Sequence, residues 1–299
     1  LFLPAVRDVF SSLSTFSSIG LNATGGLDTR TILGALLDRE LRPVLLSGVG
    51  NSTLTNTKRR DCALARELAE KSSLDFREMD WSGKQPHSDE ALLRIFTRYG
   101  YLAATYGASD SLLLELEESV PPNPELRLGG YSPAFSNMKI WMTEKRSFSF
   151  ADLVDHFTTR FFKYLPEEVQ DEYRGYLERT VVEALWRSPV EFPDEGATLQ
   201  QFAAARLFLY IRAEAALLNL ANEFSYYLAP FMMKRLYDPL LSMPLHLRRG
   251  DEFQLRLVHA LCPRLLDVPL FSGLREQKVD LETFTMAPER AATIASRNA

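Results

Sequence analysis

The residues best suited to chemistry lie close together near the start of the chain, in Thr24-Gly25-Gly26-Leu27-Asp28-Thr29. Two successive glycines let a backbone approach a ligand with no Cβ in the way. Free N–H groups at a helix start, where the dipole also favours negative charge, make an anion site. Thr24 and Thr29 add hydroxyl donors, and Asp28 adds a carboxylate suited to holding Mg²⁺ against a pyrophosphate. The chemistry these types suggest is phosphate binding. The stretch has neither the P-loop lysine nor GxGxxG, which excludes those two nucleotide motifs here. An ordinary strand-to-helix turn, with Asp28 placed for its charge in the first helical turn, fits the same residues.

Such a turn needs a strand before it and a helix after it, and both are legible. Ile19 to Ala23 reads as a short buried strand, and Thr29 to Arg39 carries Ile32, Leu33, Leu36 and Leu37 on one helical stripe. Upstream, Pro4 opens a helix with Val6, Val9, Phe10 and Leu13 on one face. Downstream come a strand from Pro43 to Leu46 ending in Ser47-Gly48, a helix from Arg60 to Lys71 burying Leu64, Ala65, Leu68 and Ala69, and a strand from Phe76 to Trp81. Strands alternating with helices across short turns predict a parallel sheet covered on both faces. Ser88 to Glu118 reads as mostly helical, and Leu126-Arg127-Leu128-Gly129-Gly130 as a strand ending in a second glycine pair. Two such strand ends in one parallel sheet fall on the same edge, where these folds bind ligands.

From Phe148 onward the strand signal fades. Thr198 with Gln201 is a capping-box pattern that opens a long helix, and helices continue to about Leu266. The tail after Ser272 reads as loop or a terminal helix. The expected organisation is therefore α/β: a doubly wound parallel sheet in residues 1–145, with a mainly helical lobe in 146–299.

The 299-residue chain is 46% hydrophobic and 24% charged, and its 34 bases and 39 acids are interspersed, for a net charge of −5. That is a globular composition without a basic nucleic-acid face. Cys62, Cys262 and four histidines show no metal-ligand spacing and no disulfide framework, which favours a reducing cytoplasm. The apolar runs fall short of the roughly 18 to 20 residues that cross a bilayer. Nucleic acid and membrane are thus not expected partners. The start at Leu1, without methionine or signal-peptide order, suggests that a segment precedes it.

TGGLDT resembles the SGGxDS signature of the N-type ATP pyrophosphatases, the adenine nucleotide alpha hydrolase-like superfamily that includes asparagine synthetase and β-lactam synthetase. In order along the chain, RRDCALARELAEKSSLDFREMDW, LRLGGYSPAF and the stretch from Leu228 to Pro263 are similar to later asparagine synthetase segments. Arg30 is similar to a variant seen in members tied to polysaccharide and natural-product pathways. The resemblance implies an ATP- and Mg²⁺-dependent ligase that activates a carboxylate as its acyl-adenylate, releases pyrophosphate and joins it to an amine or ammonia. It implies that Thr24, Gly25, Gly26, Asp28 and Thr29 hold pyrophosphate, with Asp28 as the metal ligand. Ala23, with Ser47 or Gly48, would lie near adenosine, and Gly129 would face the same site. A glutaminase domain or chain upstream of Leu1 would supply ammonia.

This chain also departs from that pattern. Gly129-Gly130 is followed by Tyr131-Ser132-Pro133-Ala134, with none of the family's acids, and the catalytic lysine expected before Leu255-Arg256 falls at Glu252. The family's Pro-Phe-x-Asp is Pro230-Phe231-Met232-Met233, and neither cysteine is an N-terminal nucleophile. A degenerate member that binds ATP or a protein partner and does no chemistry is therefore the alternative. A thiolation enzyme of the superfamily would need paired cysteines.

Arg206, Arg212, Glu214, Asn219, Asn222 and Glu223 share one long helix, with the spacing of a solvated face. Arg212 is the residue among them best suited to hold a substrate carboxylate bidentately. His87 and His259 have no Ser or Cys partner at triad spacing. The aromatics Phe148, Phe150, Phe157, Phe161, Phe162 and Tyr164 are expected to pack helices together.

Overall fold

The structure is a computed structural model that describes residues 2–49, 55–80, 88, 90, 124–130, 147–161, 167–188, 190–222, 225–243, 251–272 and 275–277. Helix α1 (Phe2–Ser11) buries Val6, Val9 and Phe10, and a 3₁₀ turn over Ser12–Thr15 then buries Leu13. Strand β1 (Ile19–Asn22) leads through the first glycine pair into α2 (Leu27–Asp38). Strand β2 (Val44–Val49), helix α3 (Thr55–Ser72) and strand β3 (Phe76–Asp80) follow, and β4 (Leu126–Leu128) ends at the second glycine pair. The helix expected over Ser88 to Glu118, and Trp81, lie outside the described residues.

Beyond β4 the chain forms strand β5 (Ser147–Phe148), helices α4 (Phe150–Phe161) and α5 (Glu167–Trp186), strand β6 (Ala197–Thr198) and α6 (Leu199–Ala221). Strand β7 (Tyr226–Leu228), helices α7 (Lys234–Leu241) and α8 (Glu252–Leu261), and strands β8 (Leu270–Ser272) and β9 (Arg275–Gln277) complete it. The capping box forms as expected: Gln201 N–H donates to the Thr198 hydroxyl and the Thr198 N–H to Gln201 Oε1. No helix among the described residues is long and apolar enough to cross a membrane.

The sheet is five-stranded and parallel, in the order β3-β2-β1-β4-β7. Both of its faces are buried, as an all-parallel sheet requires. On one face Ile19, Leu21, Leu45, Leu126 and Leu128 join a core with α1, α2, α3, α7 and α8. On the other, Leu46 and Met79 pack together, and Arg127 is fully buried. The doubly wound α/β class read from the sequence is the class observed.

Strand β7 supplies the sheet's last strand from the half expected to be helical. Three residues are too few to show an alternation, so the sequence hides it. Asn222, the C-cap of α6, ties it down: its Oδ1 accepts from Tyr227 N–H at 2.9 Å and its Nδ2 donates to Tyr227 O at 3.2 Å. The tail also differs from expectation, because β8 and β9 pair as an antiparallel hairpin.

A second core gathers Phe148, Leu153, Val181, Ala184, Phe202, Ala205 and Leu209 under α4, α5 and α6. The Phe148 and Phe202 rings lie 4.4 Å apart, so Phe148 of the aromatic cluster packs from strand β5 onto α6, where a helix-to-helix contact was expected. The solvated-face reading of α6 is corrected at Arg206, which is 1% exposed and donates to His156 Nε2 at 2.8 Å. A long side chain reaching across to a polar partner on α4 defeats the spacing rule.

Candidate phosphate-binding site

Strand order reverses between β1 and β4. From β1 the chain runs outward through β2 and β3, then returns to the far side of β1. In such sheets the usual ligand position is the crevice outside the C-terminal strand ends at such a reversal. Both glycine pairs stand there, one after each of the two strands.

Gly26 caps α2 with an extended backbone (φ −82°, ψ 168°), and the helix starts at Leu27, earlier than the expected Thr29. Asp28 and Thr29 therefore lie in its first turn. The hydroxyls of Thr24 and Thr29 are 3.2 Å apart, Thr24 N–H donates to Thr29 Oγ1 at 3.3 Å, and Gly26 N–H donates to Thr24 Oγ1 at 3.2 Å. Ala23 N–H donates to Leu46 O at 2.7 Å, which binds the turn's start to β2. Gly25 N–H donates to the carboxylate of Asp61 on α3 at 2.9 Å. Burial pushes the Asp61 carboxyl above its ordinary range, against the opposing pull of that N–H and of Lys58. In the sequence Asp61 is the acid ahead of an Ala-rich helix in the asparagine synthetase-like stretch, on one face with Ala65 and Leu68; the fold makes it the turn's neighbour.

Behind the turn lies Arg30, fully buried. It donates to Gly25 O at 3.1 Å, to Leu265 O at 2.9 Å, and to the carbonyls of Val268 and Pro269. Burial lowers its pKa to about 10, while the charge of Glu67 acts the other way. Arg30 thus latches α2 and its turn to the segment that follows α8.

Asp28 meets Gln254 of α8, whose Nε2 donates to Asp28 Oδ1 at 2.6 Å. Gln254 is 1% exposed. Sequence reasoning passed over this residue, though its place with Leu257, Val258 and Leu261 on the buried stripe of α8 was a signal. Glu252, where the asparagine synthetase resemblance leads to the expectation of a lysine, is exposed and paired with Arg256 at 2.6 Å.

The second glycine pair closes the crevice from β4. A Cβ on Gly130 would stand 2.8 Å from Thr29 Cγ2, so the two turns touch. A Cβ on Gly129 would stand 2.0 Å from Tyr227 Oη. Tyr227 belongs to a buried group on the sheet face away from α2: Asn22 Nδ2 donates to its hydroxyl at 3.1 Å, and Arg127 donates to Asn22 Oδ1 at 2.7 Å. The Arg127 guanidinium lies 5.7 Å from the Tyr227 ring centre, within reach of a cation–π contact.

Ser47 hydrogen-bonds the Cys62 thiol of α3. Burial, then the charge of Glu78, pushes that thiol up to about 11. Gly48 pairs with Met79 near the end of β2. Arg212 lies on α6, but its side chain is outside the described residues, as are Tyr131 to Ala134 and His87.

The chain is thus an open, doubly wound α/β sheet with a glycine turn at its switch point, where one N–H already meets a carboxylate of the chain. No protein-family model and no curated protein matches the chain. Solved structures do match, among them "U34-tRNA thiolase NcsA from Methanococcus maripaludis" with its 4Fe–4S cluster, at 10% identity and a TM-score of 0.29, covering 75% of this chain and 81% of that one. The cluster and the thiolase activity are that protein's.

Proposed function

We propose that the chain binds ATP, with its phosphates on Thr24 to Thr29 and its adenosine beside Ala23 and Gly48, and spends it as an asparagine synthetase-like, amide-forming ligase. One observation carries the binding half: the Gly25 N–H already holds an oxyanion, the Asp61 carboxylate, at 2.9 Å. The same N–H suits a phosphate oxygen, and the Thr24 and Thr29 hydroxyls stand beside it.

Mg²⁺ fits this donor set, since Asp28 places a carboxylate in the first turn of α2 and Gln254 fixes its orientation. When bound, the ion neutralises charge on the leaving pyrophosphate. The residues of the chain do the rest: the turn positions the phosphates, and Gly130 packs closely against Thr29 at its side. A carboxylate, with Arg212 as its holder, and an amine or ammonia are the proposed co-substrates. A glutaminase domain or chain upstream of Leu1 is the proposed ammonia source.

A second reading, ATP binding without chemistry, is favoured by Glu252. An exposed acid tied to Arg256 gives the leaving pyrophosphate no cation where the family has lysine. Calorimetry and pyrophosphate release separate the two. ATP is expected to bind with Mg²⁺, and Asp28→Ala to weaken it by about tenfold. No ATP binding overturns both readings, and binding without AMP formation over a panel of carboxylates and amines leaves only the second.

A further inference from the structure

The trans peptide between Gly25 and Gly26 sets its C=O and N–H in opposite directions. Arg30 holds that C=O from behind at 3.1 Å, and the Gly26 N–H consequently points away from Arg30, to Thr24 Oγ1 at 3.2 Å. Among the described residues the hydrogen-bond acceptors of Arg30 are all main-chain carbonyls, of Gly25, Leu265, Val268 and Pro269, and none is a carboxylate. Carbonyl dipoles solvate a buried guanidinium without cancelling its net charge; the Glu67 carboxylate acts on it through space, and the part of the charge left uncompensated reaches the far side of the peptide.

Resting on the ATP reading above, we infer that Arg30 is the positioning residue of the phosphate turn. Through the Gly25 carbonyl it aims and polarises the Gly26 N–H toward a pyrophosphate group, and it lends from behind the turn the positive charge that Glu252 does not provide. The ligand class is a pyrophosphate or the polyphosphate of a nucleotide; a neutral nucleoside gains nothing from Arg30. The latch to Leu265, Val268 and Pro269 keeps the guanidinium in register, so the segment after α8 sets the turn's affinity from outside the crevice.

The test uses the full chain labelled with ¹⁵N-glycine, titrated with inorganic pyrophosphate and separately with adenosine. In the wild type the Gly26 amide resonance is expected to shift on pyrophosphate addition. Arg30→Gln is expected to weaken pyrophosphate by about tenfold while leaving adenosine within about twofold, and Arg30→Lys to recover about half of the loss on a logarithmic scale. A structural role alone would lower both ligands together and would not respond to the retained charge. Pyrophosphate bound with the Gly26 resonance unmoved overturns the inference, as does Arg30→Gln binding pyrophosphate like the wild type or Arg30→Lys no better than Arg30→Gln. Should Arg30→Gln not fold, the Gly26 shift in the wild type decides. A wild type that binds adenosine or ATP but no pyrophosphate overturns this inference alone, whereas one that binds none of the three overturns the ATP reading with it.

Discussion

Gly25-Gly26 and Gly129-Gly130 end neighbouring strands of one sheet and touch through Thr29, yet their glycines answer different needs. At the first pair a Cβ on Gly26 would meet only Thr24 Oγ1, at 3.4 Å, an ordinary contact, and its backbone is extended. Nothing in packing demands glycine at Gly26; on the reading proposed above, the absence of a side chain lets a phosphate approach the backbone. At the second pair the hydroxyl of Tyr227 occupies the space a Cβ on Gly129 would fill, at 2.0 Å. That glycine is a packing device, bringing β7 and its tyrosine against β4. Glycine-rich strand ends thus look alike in sequence, while packing demands the glycine at Gly129 and does not demand it at Gly26.

The sharpest way to break this contrast is a pair of alanine substitutions. Gly129→Ala drives a methyl into the Tyr227 ring and is expected to cost ~3 kcal/mol or more in urea denaturation. Gly26→Ala is expected to cost less than about 1 kcal/mol, while its methyl at the phosphate approach weakens pyrophosphate binding in calorimetry. Equal destabilisation by the two would end the distinction.

Asp61→Asn sharpens the ligand side. Asparagine keeps an acceptor for the Gly25 N–H and removes the like charge, so pyrophosphate is expected to bind about fivefold tighter at neutral pH. The folded-state pKa of Asp61 is raised, so its contribution to stability is fully present below the unfolded value and is lost as pH rises through the folded one. Asp61→Asn should flatten that loss in denaturation curves taken across the acidic range, and a variant as pH-sensitive as the wild type there contradicts the assignment.

The smallest effect is expected from Glu252→Lys. It restores the family's residue type at the expected position, but the side chain is exposed and faces Arg256. Nucleotide affinity should stay within about twofold, and stability should change by about 0.5 kcal/mol or less through the lost helix pair. A large gain in affinity would bring Glu252 into the site after all.

The order of elements around the first turn was legible because each buries a continuous stripe, such as Ile32, Leu33 and Leu36 on α2 or Leu64, Ala65 and Leu68 on α3. Strand β7 was not, because three residues carry no period. Gln254 was not, because its partner Asp28 lies 226 residues away. Arg30 sits three residues before Leu33 on a stripe that turns inward, a placement that points to a buried cation, but what it would touch could not be read from the stripe.

The sequence by itself determined the α/β class, the turn between β1 and α2, and the residue types at that turn, because these follow from local periodicity and from what glycine, threonine and aspartate can do. Only the tertiary structure decided which groups face one another there. Asp61 on the Gly25 N–H, Arg30 behind the Gly25 carbonyl, Gln254 on Asp28 and Tyr227 against Gly129 are contacts between distant segments, fixed by how helices pack on a sheet whose strand order no single stretch of chain encodes.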